Sequence, residues 1–304
     1  NLGTGGAALN GQNGSTSSAD SNDARFLEWP GDNVGNYVYQ PGLGNNYMSV
    51  PDEAALDITD EIDIRLHVAL EDWASGSRQT IFSKWLASGN NRSWLINVES
   101  TGIIGFQYTA TGSAGGANYL STVAPTVSNG GDLWIRVTWI RDNGSGLSEA
   151  NHYTSTDGST WVALGSTITS AITTAIYSGT GDIQFSSFNF SNYKIYRAQI
   201  LDGIGGTTVL DVDTSVITSG AATSFTALTG QTVTIKRGTA GRKSVAVVSP
   251  VWLFGTDDQF RVPFSNLYQF NGTEQFTVLT MLRMPSLTNN QGIIATRNSV
   301  SSVQ

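Results

Sequence analysis

Residues 61–70 read EIDIRLHVAL, and here Ile62, Ile64, Leu66, Val68 and Leu70 fall on every second position, with Glu61, Asp63, Arg65, His67 and Ala69 between them. A period of two puts each set on its own face of an extended chain. The stretch therefore predicts a half-buried β-strand whose apolar face meets a core and whose wet face carries the charges. Pro51 and Asp52 mark the turn before it, and the DEAAL run over Asp52–Leu56 predicts one short helical turn.

Similar apolar beats continue on both sides. Tyr37–Tyr39, Thr80–Trp85, Ser93–Val98, Ile103–Thr109, Leu133–Ile140, Asn151–Thr154, the end of 179–200, Val209–Val212, Ser224–Leu228 and Thr232–Ile235 all read as short strands separated by Gly- and Asn-bearing turns. Asp157-Gly158, between Tyr153 and Trp161, predicts a tight type I′ hairpin. No segment predicts a helix longer than a turn or two. Trp134 and Trp139 are an odd number of residues apart, so they point to opposite faces and at least one belongs to the core.

Composition agrees with this pattern. Only 13% of the 304 residues are charged and 34 are glycine, a profile of many short strands and tight turns. The absence of cysteine excludes a disulfide scaffold and cysteine-based redox or metal chemistry, and two histidines leave little for a histidine-based triad or metal site. A net charge of −8 without a basic run argues against nucleic acid and anionic membranes as partners. No apolar run approaches the roughly 20 residues of a membrane-spanning helix.

Three segments are expected. Residues 1–33 are a Gly/Ser/Asn-rich arm or linker, 34–243 a complete β-domain, and 244–304 the opening of a second, with the boundary in the GTAGRK stretch at Gly238–Lys243. An offset of about 212 residues aligns Val50-Pro51 with Val262-Pro263 and Leu70 with Leu282. A sandwich ending at Gln304 leaves open strand edges, so the chain is expected to continue or another chain to complete it.

The segments NYMSVPDEAALDITDEIDIRLHVALEDW, QTIFSKWLASGNNRSW, DLWIRVTW, HYTSTDGSTW, YKIYRAQILDGIGGTTVLDVD and TVTIKRGTAGRKSVAVVSPVWLFGTDD, in this order and spacing, resemble the laminin-G-like, concanavalin A-like jelly-roll family, particularly tail and other virion proteins of phages that infect actinobacteria. The resemblance implies an all-β, two-sheet antiparallel jelly-roll sandwich, with the start of a second similar unit. It also implies a non-catalytic virion structural or adhesion role, as a minor tail protein or on the capsid. The partners would be other virion proteins and host cell-envelope glycans, and the chain a homo-oligomer. A capsid decoration protein is the alternative. Calcium is common in that family; the candidate ligands are Asp132, Asp142 and Asp202, which lack EF-hand spacing.

Three motifs bear on chemistry. Glu61-Ile62-Asp63-Ile64 resembles the strand motif of laminarinase-type glycosidases, but Arg65, Leu66 and His67 stand where that motif carries its second glutamate. The pair of carboxyl groups needed for retaining hydrolysis is thus missing, and charges on the wet face of a strand explain the same residues. Ser155–Trp161 (STDGSTW) resembles the Asp-box hairpin, which implies that Asp and Ser cap the turn and Trp plugs the sheet. For a ligand, the best candidate is the loop Ser88–Trp94 with Trp85: Trp85 and Trp94 offer faces for sugar C–H surfaces, while Asn90, Asn91 and Arg92 offer hydrogen bonds to hydroxyls. A hairpin turn between core-facing tryptophans requires the same residue types.

Overall fold

The computed structural model describes residues 36–186, 191–238 and 244–247, together with four two-residue strands at 12–13, 25–26, 252–253 and 260–261. By its contacts the chain divides into two units. In the first, Gln12–Asn13 pairs antiparallel with Phe260–Arg261. In the second, Arg25–Phe26 pairs with Trp252–Leu253, and all the remaining described strands build one all-β, two-sheet antiparallel jelly-roll sandwich.

The nine-stranded first sheet runs from the Val162–Ala163 edge through Ser148–Ser155, Asp132–Ile140, Glu61–Leu70, Asn192–Asp202 and Tyr37–Pro41 to Val245–Val247. Ile168–Ser170 also borders Ser148–Ser155, and Thr207–Asp213 borders Asn192–Asp202. The eight-stranded second sheet is ordered Ser224–Thr226, Thr232–Lys236, Tyr47–Val50, Ile183–Phe185, Gln79–Leu86, Asn91–Val98, Ile104–Tyr108, Ala117–Leu120. The chain crosses repeatedly between the layers, so neither sheet forms without the other. Single 3-10 turns at Ala54–Leu56, Ser88–Asn90 and Thr214–Val216 are the helical elements among the described residues. No helix among them is long and apolar enough to cross a membrane.

The alternation over 61–70 does what period two requires. Ile62, Ile64, Leu66, Val68 and Leu70 all point inward and are at most 1% exposed; each contributes about 1.5–3 kcal/mol of burial. They meet Phe82, Trp94, Ile96, Val98, Ile104 and Phe106 from the second sheet in a single core cluster. Tyr193, fully buried in the first sheet, donates its hydroxyl proton to the Ile81 carbonyl of the second and ties the layers together. Of the two tryptophans on Asp132–Ile140, Trp139 is in the core at 0% exposure and Trp134 lies half-buried on the outer face, as their odd separation requires.

Val245–Val247, placed by the sequence in the second unit, adds to the sandwich beside Tyr37–Tyr39. The Gly/Ser/Asn-rich arm and the rest of the repeat lie outside the described residues, apart from the two-residue strands. The hairpin expected at Asp157-Gly158 is wider than two residues. Strand pairing resumes only at Val162 opposite Thr154, and Gly158 takes a positive φ (72°) whereas Asp157 does not. A type I′ turn needs both.

Candidate ligand-binding face

The outer face of the first sheet is laid out by strand register. One row runs across five strands: Tyr153 opposite Arg136, Arg136 opposite Arg65, Arg65 opposite Gln199, and Gln199 opposite Asp211. The next row in one direction is Ser155, Trp134, His67, Arg197 and Asp213; in the other it is Asn151, Thr138, Asp63 and Leu201. Like charges directly opposite each other destabilise a sheet, and Arg65 and Arg136 are such a pair. Asp63 makes the arrangement possible.

Asp63 is not the solvated charge its wet-face position predicts; its side chain is 0% exposed. Arg65 donates to it from Nε (3.2 Å) and Nη2 (2.9 Å), Arg136 from Nε (3.0 Å) and Nη2 (2.7 Å), and the Gly205 amide from 3.1 Å. The amide reaches it because Gly205 turns the Asp202–Gly206 loop back over the sheet in a positive-φ conformation (68°) that suits glycine. Burial alone would raise the Asp63 pKa. Hydrogen bonds from Arg136 and Arg65, with their charges, outweigh it and hold the carboxyl below the usual carboxylate range. Its neighbours are donors rather than a second acid.

The two guanidiniums are roofed by rings. Trp161 lies 5.9 Å from Arg65 and 5.7 Å from Arg136, and Tyr153 lies 5.3 Å from Arg136. Trp161 therefore packs on the outer face and does not plug the sheet. The Asp-box loop holds it there. The Asp157 carboxylate accepts from Thr160 N, Ser159 N, Ser155 Oγ and Thr160 Oγ1, which keep its pKa well below the ordinary value, and Gly158 lies flat against Trp134. Trp134 meets Trp161 edge-on at 6.4 Å and stacks on His67 at 4.9 Å with an interplanar angle of 8°. Tyr196 continues the row, 4.6 Å from His67, because a bulge between Ile195 and Arg197 turns one extra residue outward. His67 is bonded to Asp132 at 2.7 Å. Burial lowers its pKa, against the raising effect of that carboxylate. At the far end Arg197 forks onto Asp211, with Gln199 on the same carboxylate and Asp213 at 3.7 Å.

The loop nominated from sequence is arranged differently. Trp94 is 1% exposed, inside the core against Phe82, and offers no face to a ligand; Trp85 is 9% exposed. Asn90 is exposed at a positive φ (55°), Asn91 accepts from Thr180, and Arg92 Nη1 donates to the Gly112 carbonyl. The structure thus brings Asn90, Asn91 and Arg92 together at one rim but leaves Trp94 beneath it. The candidate calcium ligands do not converge. Asp132 pairs with His67, Asp142 caps the amides of Gly144 and Gly146, and Asp202 closes its strand beside Ile62. Among the described residues no group of three or more His, Cys, Asp or Glu is placed to hold a metal.

No protein-family model matches the chain, and no curated protein matches it. Among solved structures it is similar to the CBM40 of the Ruminococcus gnavus IT-sialidase bound to alpha2,3 sialyllactose (11% identity, TM-score 0.37, 55% of this chain and 92% of that one). It is also similar to the binding domain of botulinum neurotoxin serotype C1 (14% identity, TM-score 0.34, 64% of this chain and 48% of that one). A further likeness is to SCP-B, of the Eqolisin family of peptidases (12% identity, TM-score 0.28, 66% of this chain and 98% of that one). Likenesses this distant concern the sandwich architecture and assign no ligand or activity to this chain.

Proposed function

We propose that the chain is a non-catalytic, carbohydrate-binding jelly-roll module that serves as an adhesion protein of a phage virion, on the tail or the capsid surface. The observation that carries the binding half is the outer face of the first sheet. Half-buried rings of Trp161, held by the Asp-box loop, and of Tyr153 stand beside Arg65, Arg136, Gln199 and Asn151 on neighbouring strands. Sugars are held by this combination, ring faces against C–H surfaces and side-chain amides or guanidiniums on hydroxyls.

A hydrolase is disfavoured by Asp63. Retaining hydrolysis needs a second carboxyl about 5–5.5 Å from the first, one of the two protonated. Asp63 is surrounded by two guanidiniums and an amide and stays ionised. The virion half is supported by the ordered sequence segments that resemble virion jelly rolls, by the low charge and by the absence of cysteine.

The test is titration of the full chain with cell-envelope polysaccharide, read by tryptophan fluorescence, alongside the Trp161→Ala variant. Saturable binding that falls at least about ten-fold in the variant, one contact of about 1.4 kcal/mol, is expected. No binding to any envelope fraction, or equal binding by Trp161→Ala, overturns the binding half. Absence of the chain from purified particles by peptide mass spectrometry overturns the virion half.

A further inference from the structure

We propose that Arg65 and Arg136 form a subsite for an anionic substituent, a carboxylate, sulfate or phosphate, on the glycan. This rests on the binding role proposed above and names the class of sugar. Two guanidiniums placed directly opposite each other on neighbouring strands are a costly arrangement. A sheet face shaped only by stability would put an apolar or oppositely charged partner at one of the two positions.

The charge balance is uneven across the face. At one end, Arg197 is matched by two carboxylates, Asp211 and Asp213. At the other, Arg65 and Arg136 share the single carboxylate of Asp63, which leaves one positive charge over. Both forks bind Asp63 through Nε and Nη2, and their Nη1 groups have no partner among the described residues. The two side chains keep 21% and 16% of their surface exposed.

Among the described residues no carboxylate other than Asp63 pairs with either arginine; Asp211, in the same row, lies beyond Gln199 and is taken by Arg197. Asp157 is turned onto its own loop amides and hydroxyls, and Asp132 is bonded to His67. Glu61 and Glu149 lie two rows along the strands, about 13 Å from the arginine row by strand rise. That is beyond the screening length of about 8 Å at physiological salt. With Nε and Nη2 of each guanidinium on Asp63, the remaining edge, Nη1 with the second hydrogen of Nη2, is matched to the oxygens of a carboxylate, sulfate or phosphate, and the adjacent Trp161 and Tyr153 rings would flank the sugar that carries it.

The test is a titration of the full chain with sodium glucuronate, glucose and sodium chloride at matched ionic strength, followed by NMR of the arginine Nε–H and tryptophan indole N–H signals. Arg65→Gln and Arg136→Gln variants assign the arginine peaks. Glucuronate is expected to shift both arginine signals and saturate with a dissociation constant of about 1–10 mM, the scale of a single charged contact, while glucose and chloride leave them in place. Arg136→Gln should weaken glucuronate at least about ten-fold. If it does not fold, the comparison of glucuronate with glucose in the unsubstituted protein decides. Equal shifts with chloride, or none with glucuronate, overturn the anionic subsite. If envelope polysaccharide still moves the Trp134 or Trp161 indole signals in that case, the broader binding role stands; if nothing moves them, both fall.

Discussion

Replacing Asp63 with Asn keeps the shape of the side chain and removes the charge that lets Arg65 and Arg136 face each other. The structure sets the size of the effect. Four guanidinium hydrogen bonds and one from Gly205 converge on a carboxylate of 0% exposure. Removing one partner of a buried ion pair costs about 3–5 kcal/mol. The arginines retain 21% and 16% exposure and can rehydrate in part, so we expect a loss of about 2–4 kcal/mol. In a domain of this size that is roughly 5–15 °C in Tm.

Urea denaturation followed by tryptophan fluorescence measures it. Asp63→Asn should lower the midpoint with little change in slope, and the loss should shrink at high salt, which screens the exposed cations. Adding Arg136→Gln removes the facing pair and should restore about 1 kcal/mol. Acidity gives an independent check. The folded pKa of Asp63 lies below 3.8, so its contribution is complete above that pH and disappears as pH falls through the folded value. The two proteins should therefore converge in strong acid. An Asp63→Asn protein within about 0.5 kcal/mol of the parent, or a double variant as unstable as the sum of the singles, would refute this account of the face.

Three other outcomes are expected. His152 is 3% exposed on the inward side of Ser148–Ser155. Burial lowers its pKa from 6.5 to about 4, and neither ring nitrogen has a hydrogen-bond partner among the described residues. Its neutral form favours folding. That stability should be intact above pH 6.5 and decline by up to about 1.4 kcal/mol per pH unit down to about 4, a slope that His152→Phe should flatten in urea titrations across pH. Gly158→Ala would put a Cβ 2.7 Å from the Trp134 ring at a φ of 72°. We expect about 1–2 kcal/mol of destabilisation together with loss of glycan binding, measured by melting and fluorescence titration; binding that survives would detach this loop from the site. Trp94→Ala should cost about 3–5 kcal/mol as a core cavity while leaving glucuronate binding unchanged in whatever fraction folds, whereas weakened binding would return the Ser88–Trp94 loop to the site.

How far a position could be read in advance depended on whether its information was local. At Glu61–Leu70, strict alternation identifies the inward face. The odd separation of Trp134 and Trp139 likewise divides core from surface. Period two is less secure where bulges interrupt it. Register shifts between Thr80 and Phe82 and between Lys84 and Trp85 put Lys84 inside, 1% exposed, on Asp52 and Asp57. Trp94, opposite Lys84, lies in the core by plain alternation with Ile96 and Val98 on its own strand, so a loop that looked suited to sugar lacks its best ring. No local signal marks a bulge of this kind.

Alternation and composition make legible an all-β sandwich, the inward side chains of its long strands, the lack of cysteine in these 304 residues, and Arg65, Leu66 and His67 in place of a second glutamate after Asp63. Arg65 and His67 were readable as outward-facing, and Trp134 and Trp139 as lying on opposite faces, because the face is a property of a single strand. It takes the folded sandwich to bring Arg136, 73 residues from Asp63 in sequence, onto that carboxylate with Arg65 under Trp161. Which residues become neighbours across a sheet depends on strand order, register and bulges, and these are set by the packing of the whole sandwich.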